Sequence, residues 1–157
     1  MRLVFWAGFW VFLADQASKY LVVHWINLRE VGSIDVLPPV INLRMAWNYG
    51  INFGFFSGES DSTRWILIGI AIIIIAFVLY WLRKEEFGKI GLISAGILIG
   101  GALGNIIDRI LYGAVADFLN MSCCGFTNPF SFNIADIAIF AGAFGMVLFA
   151  GDTKEEA

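Results

Sequence analysis

Two carboxyl groups in this sequence sit where an acid is costly. Asp117 lies within Val115-Ala116-Asp117-Phe118-Leu119, flanked by apolar residues. Desolvation in such surroundings raises a carboxyl pKa and keeps the proton on. Asp136 stands in Asn133-Ile134-Ala135-Asp136, the spacing of a helix N-cap and an acidic third residue. A carboxylate in a first helical turn faces the positive helix end, which favours its ionised form. Two carboxyls whose pKa values are pushed apart, held a few ångströms from each other, form the working pair of an aspartic protease. One draws a proton from water and the other donates to the amide. The shared proton belongs to the pair, so neither role attaches to one residue.

Other chemistries find less support. His24 is the sole histidine and has no evident nucleophile partner, so an interfacial place is the plainer reading. Cys123 and Cys124 are adjacent, which gives no metal-ligand spacing and would strain a bridge between them. No metal or cofactor is expected. Two further clusters are polar. Asp15 and Lys19 are spaced i,i+4 with the acid first, the favourable order for a helix ion pair, and a structural clasp is the simpler role. Asn105, Asp108 and Arg109 share a helix face, either as a polar terminus reaching lipid phosphates or as a clamp whose guanidinium orients carboxylates.

What must position these groups is apolar sequence. The chain has 157 residues, 59% hydrophobic and 15% charged, more apolar surface than a small soluble core can hide. Its net charge of −3 leaves no basic face for nucleic acid. Four stretches reach the roughly 17–25 residues that cross a bilayer. They predict helices at about 3–26, 65–82, 90–109 and 134–150, joined by a large external segment over 27–64, in one domain of 1–157. The stretches are continuous, which disfavours an outer-membrane barrel. Asp15 and Lys19 inside the first stretch argue for a retained helix over a cleaved signal peptide. Arg2, Arg83, Lys84, Lys89 and Lys154 place both termini and the 83–89 loop in the cytoplasm. Asp15, Lys19, Asn48, Asn105, Asp108, Arg109, Asp117, Asn133 and Asp136 then all fall at or near the outer face. Charged groups inside a bilayer usually face a bundle interior, paired with one another. In the external segment, Ile41, Leu43, Met45 and Trp47 alternate with polar residues, suggesting a short strand with one apolar face. Gly50, Gly54 and Gly58 mark turns after it.

With these residues laid out, the chain closely resembles the bacterial lipoprotein signal peptidases, also called signal peptidase II. Five motifs carry the resemblance: Asp15-Gln16-Ala17-Ser18-Lys19; Asn48-Tyr49-Gly50-Ile51-Asn52-Phe53; Gly100-Gly101-Ala102-Leu103-Gly104-Asn105-Ile106-Ile107-Asp108-Arg109; Val115-Ala116-Asp117-Phe118; and Phe132-Asn133-Ile134-Ala135-Asp136. The resemblance implies an all-α membrane protein of four transmembrane helices, with a small extracytoplasmic β-rich cradle and a lid segment. It implies an aspartyl endopeptidase of the bacterial inner membrane that cuts diacylglyceryl-modified prolipoproteins just before the lipidated cysteine, on the periplasmic side. Asp117 and Asp136 would be catalytic. Asn48, Asn105, Arg109 and Asn133 would line or brace the site, supported by Asp15, Lys19, Gly104 and Asp108. The implied partners are lipid-modified prolipoproteins, membrane lipid and globomycin-type peptide inhibitors, and a monomer is expected. The family commonly has Ala-Ala where Ile51-Asn52 stands, and Met121-Ser122-Cys123-Cys124-Gly125 belongs to no signature of the family.

Two other classes bear weighing. A proton-coupled transporter needs acids spread through the membrane depth, whereas the cytoplasmic halves of the second and fourth stretches are bare. A scaffold would use Gly96, Gly100 and Gly104 for helix contacts, a spacing common in membrane helices and therefore non-specific. The presenilin-type motif Gly-x-Gly-Asp is absent.

Overall fold

A continuous apolar run in lipid has to satisfy its backbone within itself, and a helix does so. In the computed structural model, which describes residues 1–38, 40–50, 61–122 and 128–150, four long helices result. They are α1 (Arg2–Tyr20), α3 (Asp61–Lys84), α4 (Lys89–Tyr112) and α5 (Ile134–Leu148). A single π-helical turn, Leu21–Trp25, continues α1, and a short α2 (Leu28–Val31) follows. Strands β1 (Ser33–Leu37), β2 (Ile41–Asn48) and β3 (Val115–Met121) form one antiparallel sheet in the order β1-β2-β3. The Ile51-Asn52 pair, the turns expected at Gly54 and Gly58, and Cys123 and Cys124 lie outside the described residues.

Helix α4 is the centre of the bundle because it has no bulk where it meets its neighbours. A Cβ at Gly100 would land on the Gly8 carbonyl oxygen of α1. On the other side, a Cβ at Gly142 of α5 would lie 2.6 Å from both Ser94 O and Leu98 N of α4. Small residues let helix backbones approach this closely, the packing that lipid-embedded helices favour. Helix α3 joins through Val78, Trp81 and Leu82 against Ala95, Leu98 and Met146. Its other face, with Ile66, Ile70, Ile73 and Phe77, is exposed. An apolar face of that extent suits lipid rather than water.

The sheet closes one end of the bundle. Val22, Leu28 and Phe118 form a core there, with Ile34, Leu43, Met45 and Leu119 packed on it. In the register, Leu43 lies opposite Leu119 and Ala46 opposite Asp117, with a bulge between Leu43 and Ala46. Such a bulge bends a strand and re-aims its side chains. The strand expected around Ile41–Trp47 is therefore present, but its alternation is broken in the middle.

Some boundaries differ from those expected. Helix α3 starts at Asp61, so Thr63 and Arg64 belong to it and not to the external segment. Helix α4 runs to Tyr112, which puts Asp108 and Arg109 inside its last turns. Ser62–Lys84 and Lys89–Tyr112 are long and apolar enough to cross a bilayer, whereas Ile134–Leu148 is apolar but shorter. At 1.5 Å per residue α5 is about 22 Å long.

The close approach of α5 to α4 can be tested by bulk. Gly142→Leu should destabilise the detergent-solubilised protein by about 1–3 kcal/mol, the cost of overpacking. Gly69→Leu on α3, where an added Cβ meets nothing within 4 Å, should leave the melting temperature unchanged or higher.

Candidate active site

Three helix ends and one strand meet at the sheet end of the bundle: the C-terminal turns of α1 and α4, the first turn of α5, and β3. Asn133 opens α5 as its N-cap. Its Oδ1 accepts from Asp136 N at 2.9 Å, and Asp136 Oδ2 accepts from Asn133 N at 3.3 Å, a complete capping box. The cap leaves Asn133 Nδ2 free to turn inward, where it donates to Asp117 Oδ1 at 2.6 Å. One asparagine thus touches both acids.

Each remaining carboxyl oxygen also meets a donor. Asp117 Oδ2 accepts from Asn48 Nδ2 at 3.0 Å, and Asn48 is itself held by Gly50 N on its Oδ1 at 3.1 Å. Asp136 Oδ1 accepts from Asn105 Nδ2 at 2.9 Å. Asp117 is 1% exposed, whereas Asp136 is half-buried. Burial, and then the negative charge of Asp136, push the Asp117 carboxyl up to about 7; the hydrogen bonds from Asn48 and Asn133 and the charge of Lys19 oppose that rise without cancelling it.

Behind the pair lies a second charged group. Lys19 Nζ sits 2.8 Å from Asp15 Oδ2 and 2.8 Å from Asp108 Oδ2, and donates to Asn105 Oδ1 at 3.2 Å. All three charged residues are buried. Asp15 Oδ1 accepts from Ala135 N at 2.9 Å and Asp108 Oδ2 from Ala116 N at 3.2 Å, so the cluster ties α1 and α4 to both α5 and β3. Gly104 has to be glycine here, because a Cβ would collide with Asp15 Oδ2.

Arg109 reaches the carboxyl groups by charge rather than by contact. Its guanidinium donates to Asn105 O at 3.3 Å and forms no ion pair with Asp108, Asp117 or Asp136, acting on them through charge alone. His24 is exposed and bonds the Tyr112 hydroxyl at 3.2 Å, away from the network.

Two contributors carried no assigned role in the sequence. Gln16 Nε2 reaches Asp15 Oδ2 at 3.1 Å, Asp108 Oδ1 at 3.0 Å and Gly104 O at 3.3 Å, bracing the charged cluster. Its position within Asp15-Gln16-Ala17-Ser18-Lys19 was the available signal. Asn120, buried at the end of β3, donates to Asn128 O and Phe130 O, each at 2.8 Å, and so guides the chain back toward α5. A polar residue in an apolar strand was the only hint of that.

A buried acid and a half-buried one, both braced by carboxamides, lie at one end of an apolar helix bundle, an arrangement able to do acid–base chemistry. Comparison with known proteins gives its family. Residues 8–150 match the family model for signal peptidase (SPase) II. The chain belongs to that family. It is 35% identical over 155 residues to a lipoprotein signal peptidase of Vibrio parahaemolyticus, covering 96% of this chain and 88% of the relative. With a lipoprotein signal peptidase of Rhizorhabdus wittichii the identity is 40% over 139 residues, 88% of this chain and 79% of the relative. A solved bacterial membrane enzyme, determined by the in meso method at 2.3 Å resolution, superposes with a TM-score of 0.80 at 27% identity, covering 100% of this chain and 94% of that one.

The raised Asp117 pKa has a consequence for stability. The folded protein holds this proton more tightly than the unfolded chain does, so ionising Asp117 costs the folded state more. Stability should therefore fall as pH rises from about 4 to about 7 and then level. Thermal melts across that range should show a steeper decline for the native protein than for Asp117→Asn. Equal slopes would mean that folding does not raise the Asp117 pKa.

Proposed function

We propose that this chain is an aspartyl endopeptidase that removes signal peptides from diacylglyceryl-modified prolipoproteins, cutting just before the lipidated cysteine. Asp117 and Asp136 are the catalytic pair. The observation that carries this reading is that Asn133 bonds both carboxyl groups, through Nδ2 to Asp117 and through its cap to Asp136. Family membership supports the peptidase class, and relatives named lipoprotein signal peptidase support the substrate class.

The whole chain, 1–157, works as one peptidase unit that crosses the bacterial inner membrane four times. Both termini lie in the cytoplasm and the site faces the periplasm. The substrate's acyl chains stay in lipid beside the bundle while its signal helix enters between helices. The two acids hold one water between them, and together they carry one proton. The ionised member takes a proton from the water, whose oxygen attacks the scissile carbonyl. The protonated member then donates to the leaving amide nitrogen, and the pair returns to its singly protonated state. Arg109, half-buried and within Coulombic reach of the acids, is the cation available to the developing oxyanion. Preorganised groups of this kind are worth about 2.7–4 kcal/mol each. Asn48, Asn105 and Asn133 keep the acids in register, and globomycin-type peptides would compete for the same place.

Asp117→Asn and Asp136→Asn, made separately, should each lower cleavage of a lipidated precursor by roughly 10²–10⁴-fold, the contribution of positioned acid–base groups. Both variants should keep a native-like melting transition. Retained activity in either would remove the dyad. Native activity should also decline as pH rises through about 7, when the pair loses its remaining proton. An unlipidated precursor should be cleaved poorly or not at all.

A further inference from the structure

One buried side chain in the network around the acids can only donate. An ammonium has three N–H donors and no acceptor, and Lys19, 3% exposed, uses its donors on Asp15, Asp108 and the Asn105 amide oxygen. Pairing with two buried acids needs only the first two. The third contact matters for Asn105, because it adds an ammonium to the groups that decide which way round the carboxamide sits. With its oxygen on Lys19, its Nδ2 has to face the other way, where it meets Asp136 Oδ1. The same oxygen accepts from Asn133 Nδ2 at 3.3 Å. A flipped Asn105 would aim N–H at an ammonium and at a second N–H, and a carbonyl oxygen at a carboxylate. Each of those contacts is repulsive.

We propose that Lys19 is a positioning residue for cleavage: by fixing the orientation of the Asn105 carboxamide it delivers an N–H to Asp136 and keeps the Asn133 amide on Asp117. The proposal rests on the reading of Asp117 and Asp136 as the catalytic pair. Lys19 itself forms neither an ion pair nor a hydrogen bond with either acid; Asn105 joins it, side chain to side chain, to a hydrogen bond on Asp136. Outer partners that orient metal-binding side chains typically cost roughly 10–100-fold when lost, and a loss of that order is expected here.

A lysine that merely pairs with Asp15 and Asp108 makes a different prediction, and a charge-conserving exchange separates the two. Lys19→Met combined with Asp15→Asn removes one positive and one negative charge, leaving the cluster's formal charge as in the native protein. Single-turnover cleavage of a lipidated precursor would be followed in detergent–lipid micelles, with melting temperature recorded in parallel. The expected result is a native-like melt, a cleavage rate roughly 10–100-fold lower and an unchanged KM. On an Asn105→Ala background the same exchange should cost no further rate. A native rate, or an equal loss on both backgrounds, would overturn the proposal. Should the double variant lack a melting transition, Lys19→Arg decides instead. It keeps the charge but replaces a compact ammonium with a planar fork. A loss of rate on the native background alone is then expected, and an unchanged rate overturns the proposal. Asp117→Asn in the same assay separates the two levels. If it cleaves normally, the dyad reading fails. If it is inactive while the Lys19 variants are fully active, only the positioning role fails.

Discussion

The arrangement depends on one buried ammonium held between two carboxylates. Taking any of these ions out of water costs several kcal/mol, and mutual attraction offsets that only when the remaining donors and acceptors are also satisfied. Here they are. Asp15 is completed by the Ala135 amide and Gln16, Asp108 by the Ala116 amide and Gln16, and Lys19 by Asn105. The partners come from α1, α4, α5 and the start of β3, so meeting the needs of the ions also fixes where those four elements end. Gly104 is the steric condition for this, since the Asp15 carboxylate occupies the space a side chain there would fill.

In front of that cluster Asp117 experiences opposed influences. Burial and the negative charge of Asp136 favour holding its proton, and the donors from Asn48 and Asn133 favour ionisation. For Asp117 burial wins, which places its proton affinity near neutrality, where a general acid is most useful. The three asparagines share a design: each has its oxygen tied to a fixed donor and its N–H turned to a carboxyl group. Gly50 N holds Asn48, Lys19 holds Asn105, and Asp136 N holds Asn133. Carboxamides locked in this way cannot exchange donor for acceptor, so the polarity around the acids is set by the fold.

Much of this was legible in the sequence because helix direction and depth follow from apolar runs. Alternating the direction of successive apolar runs is enough to collect Asp15, Asn105 and Asp136 at one end of the bundle. The Asn133–Asp136 spacing disclosed a cap, and the i,i+4 spacing of Asp15 and Lys19 disclosed an ion pair. Other features left no local trace. Strand β3 was not expected, because Val115, Ala116, Asp117 and Phe118 are all buried and show no alternation. That Lys19 also pairs with Asp108 depends on how α1 and α4 pack, which spacing within one helix does not encode. The end of α4 was placed at Arg109 since charges resemble a terminus; with Asp108 buried against Lys19, the helix continues to Tyr112. The bulge in β2 was likewise invisible, because bulges follow from pairing with β3 rather than from β2 alone.

Coupling between the two acids is most directly read from carboxyl carbon-13 resonances of aspartate-labelled protein, titrated in native form and as Asp136→Asn. If one proton is shared across the pair, the Asp117 resonance should titrate near 7 in the native protein. Its midpoint should move to lower pH once the neighbouring negative charge is removed. An Asp117 midpoint that stays where it was after Asp136→Asn would show two independent carboxyl groups, and the paired-acid chemistry would not hold.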